Sequence, residues 1–138
     1  MKKCLISFGV MILLLVGVAP VVFGEDDDII TINDKNFKAA VVSNFDRNND
    51  GEISKSEAEN GEFLSMQDQN ITDISDITKF PNIKNLYLRG NLITDITPLL
   101  KLKNLQSLDI RENKIDFKNE ENLNVIAQLQ KKNVYIYY

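Results

Sequence analysis

A spacing of 22 residues recurs along the middle of this chain. Leu64, Leu86 and Leu108 form one column, and Met66, Leu88 and Ile110 the next. Gln69, Asn91 and Asn113 follow, then Ile71, Ile93 and Ile115. Ile74 matches Ile96, Ile77 matches Leu99, Phe80 matches Leu102, and Ile83 matches Leu105. A fixed period of this length marks repeated structural units. Each unit is too small to bury its own apolar face and must bury it against the next. Unrelated amphipathic segments would not keep so many apolar columns in one register.

The spacing within a unit dictates its shape. Leu86-Tyr87-Leu88 reads as a short strand with alternate residues buried. Strands of successive units then stack in parallel. Asn91 and Asn113 turn the chain, with side-chain amides that can satisfy backbone groups inside the turn. Gln69 is a weaker substitute at the same position, with Asn70 beside it. Thr94 to Leu99 makes the return on the convex side, where Asp73 and Asp95 can cap a short helical turn. The pattern is similar to L-x-x-L-x-L-x-x-N-x-L, that of leucine-rich repeats. The expected fold is therefore an α/β solenoid: a short leucine-rich-repeat array of parallel strands over residues 61–118.

Such an array exposes apolar core at its ends unless caps cover it. Asp34 can N-cap a helix from Lys35 to Asn44 that places Phe37, Val41 and Phe45 on one face, over Leu64 and Met66. Residues 25–60 are thus read as a helical N-terminal cap. Residues 119–138 are read as the other cap. A helix from Asn119 to Lys132 turns Leu123, Ile126, Ala127 and Leu129 inward, and Val134 to Tyr138 returns as an edge strand.

Residues 46–57 fill every oxygen-donor position of a twelve-residue calcium loop. Asp46, Asn48 and Asp50 stand at positions 1, 3 and 5, Ser54 at 9 and Glu57 at 12. Glu52 supplies its backbone carbonyl at 7. Ca²⁺ is a hard cation that takes six to eight oxygens, and this spacing folds short oxygen side chains around one point. Gly51, at position 6, permits the φ > 0 turn that wraps the loop. An ordinary Asx-rich turn is the alternative. Only about six residues, Lys55 to Asn60, can be helical after the loop. No paired second loop is visible, so a calcium ion here is expected to act as a structural clip joining the cap to the first repeat.

The composition narrows the chemistry. The 138 residues include no His and no Trp, and Cys4 is the only Cys. Cys/His zinc sites, His acid–base catalysis and an intramolecular disulfide are excluded from the folded part. Asp73, Asp76 and Asp95 have a capping explanation, and no enzyme is expected. Residues 1–24 read as a signal peptide: Lys2 and Lys3, then an uncharged apolar run to Gly24, with cleavage before Glu25. An uncleaved anchor is the alternative, because the run could just span a bilayer. The chain after residue 24 carries a formal charge of −6. Residues 25–76 hold −10 of it and residues 77–138 are +4, too weakly basic to argue for nucleic acid.

Two segments carry a family resemblance. Residues 70–77 and 92–99, each running from an Ile-Thr-Asp-Ile core to an apolar eighth residue, resemble the 22-residue repeats of the internalins, a family of bacterial surface proteins. Residues 32–58, from Ile32 through the Asp46–Glu57 loop to Ala58, resemble the EF-hand-like cap that precedes such repeats. The resemblance covers about residues 29–138. It implies a secreted or extracellular protein, possibly held at the cell surface, that binds a protein partner through the concave strand face. A calcium-dependent structural or inhibitory extracellular module is the alternative. On that face the residue between each buried pair gives Ser65, Tyr87, Asp109 and Tyr135. The next outward column gives Gln67, Arg89, Arg111 and Tyr137. Tyr and Arg are enriched at binding hot spots. The expected state is a monomer with no membrane insertion once the signal is removed.

Overall fold

A computed structural model describes residues 28–138. The signal segment expected at 1–24 lies outside them. Two helices, α1 (Lys35–Phe45) and α2 (Lys55–Asn60), precede strand β1 (Phe63–Ser65). Then come a 3₁₀ turn (Ser75–Lys79), β2 (Asn85–Tyr87), a second 3₁₀ turn (Thr97–Lys101), β3 (Ser107–Asp109), α3 (Glu120–Lys131) and β4 (Tyr135–Tyr137). The strands form one parallel sheet in chain order. Leu64 pairs with Leu86, Leu86 with Leu108, and Leu108 with Ile136. The 22-residue sequence period is thus the physical register of the first three strands. Every aliphatic column named above is buried and belongs to one continuous core.

The last turn breaks the period. Ile136, not residue 130, stands in the Leu108 column, because a full α-helix replaces the 3₁₀ turn. An α-helix advances only about 1.5 Å per residue, so crossing the convex side takes more chain. This corrects the expected strand columns. Tyr137 lies in register with Ser65, Tyr87 and Asp109, and Tyr135 lies with Phe63, Asn85 and Ser107. The face of α3 is also corrected. Asn122, Val125, Ile126 and Leu129 are buried, whereas Leu123 is 46% exposed and Ala127 is exposed. The buried stripe starts one residue earlier than hydrophobicity suggests because Asn122 Nδ2 donates to Asp116 O at 3.0 Å.

The turn asparagines behave as their chemistry requires. Asn91 is 2% exposed. Its Nδ2 donates to Met66 O at 2.7 Å and Leu88 O at 2.8 Å, and its Oδ1 accepts from Gln69 N and Ile71 N. Asn113 repeats the arrangement one turn later, donating to Leu88 O and Ile110 O and accepting from Ile93 N. Gln69 does not join this ladder; it is exposed and donates to Gln67 O. In each repeat the residue ahead of this position is left-handed: Asp68 at φ 57°, Gly90 at 73° and Glu112 at 56°. Gly90 is fixed by space as well, since a Cβ there would meet Asp68 Oδ1 at 1.9 Å.

α1 is tied to the first repeat around Asp34. Its Oδ1 accepts from Asn36 N and Phe37 N, capping α1, while its Oδ2 accepts from Thr72 N, Thr72 Oγ1 and Asp73 N of the first repeat. Next to it, Asp76 Oδ2 accepts from Asn33 N at 2.7 Å and from Asn33 Nδ2, and Asp76 pairs with Lys79. Lys79 Nζ also donates to Thr31 O. Behind these polar ties, Phe37 meets Phe80 edge-on at 6.1 Å and Phe45 meets it at 5.8 Å. The expected α1 and its inward face are therefore present.

Burial pushes the Asp34 carboxyl up, but its backbone and Thr72 hydrogen bonds outweigh that and hold it at about 2 against 3.8. A depressed carboxylate stabilises the fold fully above its unfolded value and loses that contribution as pH falls through the folded one. Because its bonds to Thr72 and Asp73 are open to solvent and screened, Asp34 contributes on the order of 1 kcal/mol at neutral pH, which fades between about pH 4 and 2. Urea unfolding across that range should show Asp34→Asn less stable than wild type at pH 7 and closer to it at pH 2. In a second pair, Asn91→Ala should lose about 2–4 kcal/mol, because four backbone groups, three of them in buried bonds, lose partners. Gln69→Ala should stay within about 0.5 kcal/mol of wild type.

Candidate functional site

Two regions carry the chemistry expected from the sequence. The first is the loop between α1 and α2. Asp46 is the C-cap of α1, and Ser54 is the N-cap of α2. The loop is wound by its own side chains. Asp46 Oδ1 accepts from Asn49 N at 2.7 Å and Oδ2 from Gly51 N at 2.9 Å. Asn48 Oδ1 accepts from Asp50 N, and Asp50 Oδ1 from Glu52 N. The bonds two or three residues ahead are the Asx turns these residue types favour, and the one from Gly51 spans five. Gly51 has φ 80°, as its loop position demands.

Glu57 reaches back across the loop. Its Oε1 accepts from Arg47 N at 2.8 Å, and its Oε2 from Ser54 N and Ser54 Oγ, both at 3.0 Å. Ser54 Oγ in turn accepts from Glu57 N, completing a capping box at the start of α2. The Ser54 backbone bond is the main reason the Glu57 carboxyl is held below its ordinary value. The Glu52 carboxylate points away, to Lys38 Nζ at 2.6 Å, leaving its carbonyl as the donor that the spacing assigns. Among the described residues, no three Asp, Glu, His or Cys side chains converge closely enough to hold a metal ion. Asp46, Asp50 and Glu57 have no cationic partner among those residues either.

The segment that braces this loop has no signature in the sequence. Ile29 forms an antiparallel bridge with Ser54; Ile30 N donates to Ile53 O and Lys55 N to Asp28 O, both at 2.8 Å. Ile53, at loop position 8, is buried in the core. The hydrogen bonds of the brace are between backbone groups, so no polar side-chain pattern announces it.

The second region is the open face of the sheet. Phe63 is 54% exposed and stacks against Tyr87 at 5.4 Å. Tyr135 and Tyr137 lie 6.1 Å apart on β4. Arg111 lies over the Tyr137 ring at 5.4 Å and forks onto Asp109, Nε to Oδ1 at 2.9 Å and Nη2 to Oδ2 at 2.6 Å. Asp109 is buried by this pairing and does not present its carboxylate to solvent; it positions Arg111. The guanidinium is the first reason the Asp109 carboxyl is held low. Arg89 pairs with Glu112 at 2.5 Å. Ser65 and Gln67 sit beside one another, with Gln67 Nε2 donating to Ser65 Oγ. Sequence reasoning missed Phe63, which strand alternation two residues before Ser65 would have revealed.

No helix among the described residues is long and apolar enough to cross a membrane. The leucine-rich-repeat family model matches in two copies, over residues 62–99 and 81–124. No curated protein matches the chain. Among solved structures, internalin C2 of Listeria monocytogenes is similar with a TM-score of 0.60 and 27% identity, over 73% of this chain and 42% of that one. The internalin InlF of the same organism gives a TM-score of 0.60 and 25% identity, over 76% of this chain and 29% of that one. The functional domain of its InlJ gives 0.55 and 27%, over 65% and 20%. The chain spans less than half the length of these structures. With a parallel sheet in 22-residue register and these neighbours, the chain has the fold of a short leucine-rich-repeat array and resembles the internalins.

Proposed function

We propose that this chain is a secreted, non-catalytic protein that binds another protein through the concave face of its sheet, and that Ca²⁺ held by the 46–57 loop is structural. One observation carries the binding reading: an open sheet face bearing Phe63, Tyr87, Arg89, Arg111, Tyr135 and Tyr137, side chains of the kind that dominate binding hot spots. The two arginines are held in place by Glu112 and Asp109, so less of their freedom is lost on binding.

The calcium reading rests on the donor set. All six expected ligands, Asp46, Asn48, Asp50, Glu52, Ser54 and Glu57, offer oxygen, as a hard cation requires. Three of them bring carboxylates with no cationic partner among the described residues. Bound Ca²⁺ would supply the missing positive charge and tie the end of α1 to the start of α2. The open sheet face holds none of these ligands, so calcium acts on stability and only indirectly on partner binding.

Calorimetric titration with CaCl₂ should show one site, lost in Glu57→Gln. At about 100 times its Kd, a ligand adds roughly 2.7 kcal/mol. Chelation should then lower the melting temperature by several degrees. A flat titration at millimolar calcium overturns this part. For the face, cross-linking in the native surroundings should capture a partner that Tyr87→Ala/Arg89→Ala fails to capture while melting normally. An unchanged capture would place binding elsewhere.

A further inference from the structure

The two edges of the sheet are finished differently. At β1, α1 packs against the strand. Asn44 Nδ2 donates to Ser65 O at 3.1 Å, and Asn36 Nδ2 to Asn70 O at 3.0 Å. Beyond β4 no described strand follows. Pairing with β3 uses the Tyr135 N–H, which donates to Gln106 O at 2.7 Å, and the Tyr137 carbonyl, which accepts from Ile110 N at 2.9 Å. Backbone alternation along a strand therefore turns both the N–H and the C=O of Ile136 to the outer side. No described group meets either one.

The side chains around that edge are unprotected too. Leu64, Leu86 and Leu108 have no exposure, whereas Ile136 in the same column is only partly buried, so α3 does not close over the edge. Tyr135 is 72% exposed, and Tyr137 and Tyr138 are exposed. Phe117 stacks on Tyr138 at 5.4 Å. From Val134 to Tyr138 there is no charged side chain and no proline, two of the usual means of keeping an edge strand from pairing.

We propose that β4 pairs with β4 of a second copy of this chain, antiparallel, about a twofold axis midway between the two Ile136 residues. A twofold contact needs a self-complementary edge. Ile136 provides one: a single residue with N–H and C=O both outward exchanges two hydrogen bonds with its own counterpart, as opposed residues do in an antiparallel pair. The run Tyr135-Ile136-Tyr137 is itself symmetric. Each Tyr135 then falls opposite Tyr137 of the second copy, giving two cross-strand aromatic pairs on the open face. The four-stranded sheet becomes one continuous sheet of twice the width. The contact is small for a stable interface, so the dimer is weak and forms at high concentration.

Sedimentation equilibrium of the purified protein, taken to millimolar concentration, should fit a monomer–dimer equilibrium. Hydrogen exchange at the Ile136 amide should slow by about tenfold across that titration, while the Tyr135 amide, already bonded within the sheet, stays constant. Tyr135→Lys should weaken the dimer about tenfold without changing the melting temperature. Ile136→Pro, which removes the outward N–H, should abolish it. If Ile136→Pro does not fold, Tyr135→Lys and the exchange measurement decide. A monomer at millimolar concentration overturns the proposal. So does a dimer that withstands Tyr135→Lys, or one whose formation leaves exchange at Ile136 unchanged, since either places the contact elsewhere.

Discussion

Each turn of this solenoid buries its aliphatic column only against its neighbours, so everything depends on how the first turn is closed. Asp34 does this with two oxygens. One caps α1 and the other takes three donors from the first repeat. That single carboxylate fixes the distance and angle at which α1 lies over the first turn. Phe37 and Phe80 can then be fully buried against each other. Burying an aromatic of this size is worth about 1.5–3 kcal/mol, and the polar clasp decides that it is done in one arrangement. Asn33, Asp76 and Lys79 repeat the tie beside it.

Much of this was legible because a parallel register copies sequence spacing directly. Leu64, Leu86 and Leu108 pair at the interval that separates them in the chain. The helices were legible at their ends, where Asp34 and Asn119 are strong caps. What failed has physical causes. Leu123 outranks Asn122 on any hydrophobicity scale, yet Asn122 is the buried one because its amide has a carbonyl to meet. Tyr135 and Tyr137 were assigned to the wrong columns because an α-helix uses more residues than a 3₁₀ turn to cross the same span. The brace at Ile29 and Ile30 left no trace because backbone bonds do not depend on residue identity.

The loop between α1 and α2 shows how few atoms serve several purposes. Ser54 and Glu57 begin α2 as a capping box, and the same oxygens belong to the twelve-residue donor pattern. A helix start and an oxygen cage need similar things: short polar side chains turned inward on a tight loop, with a carboxylate reaching back from one turn ahead. The brace against Ile53 and Ser54 presses this loop from the outside. It couples the chain ahead of α1 to the start of α2 without any side chain in common.

The asparagine ladder has a direction. Asn91 completes the turn of the repeat before its own, at Met66, Gln69 and Ile71, and Asn113 does the same for Leu88 and Ile93. Each asparagine also meets a carbonyl of its own turn, at Leu88 or Ile110, but the amides at Gln69, Ile71 and Ile93 wait for the repeat that follows. The N-terminal cap gives its amides, from Asn36 and Asn44, to the first turn. A chain emerging from the ribosome therefore carries one unfinished turn at its growing end at every stage. Each 22-residue step of synthesis closes the wound left by the step before and opens a new one.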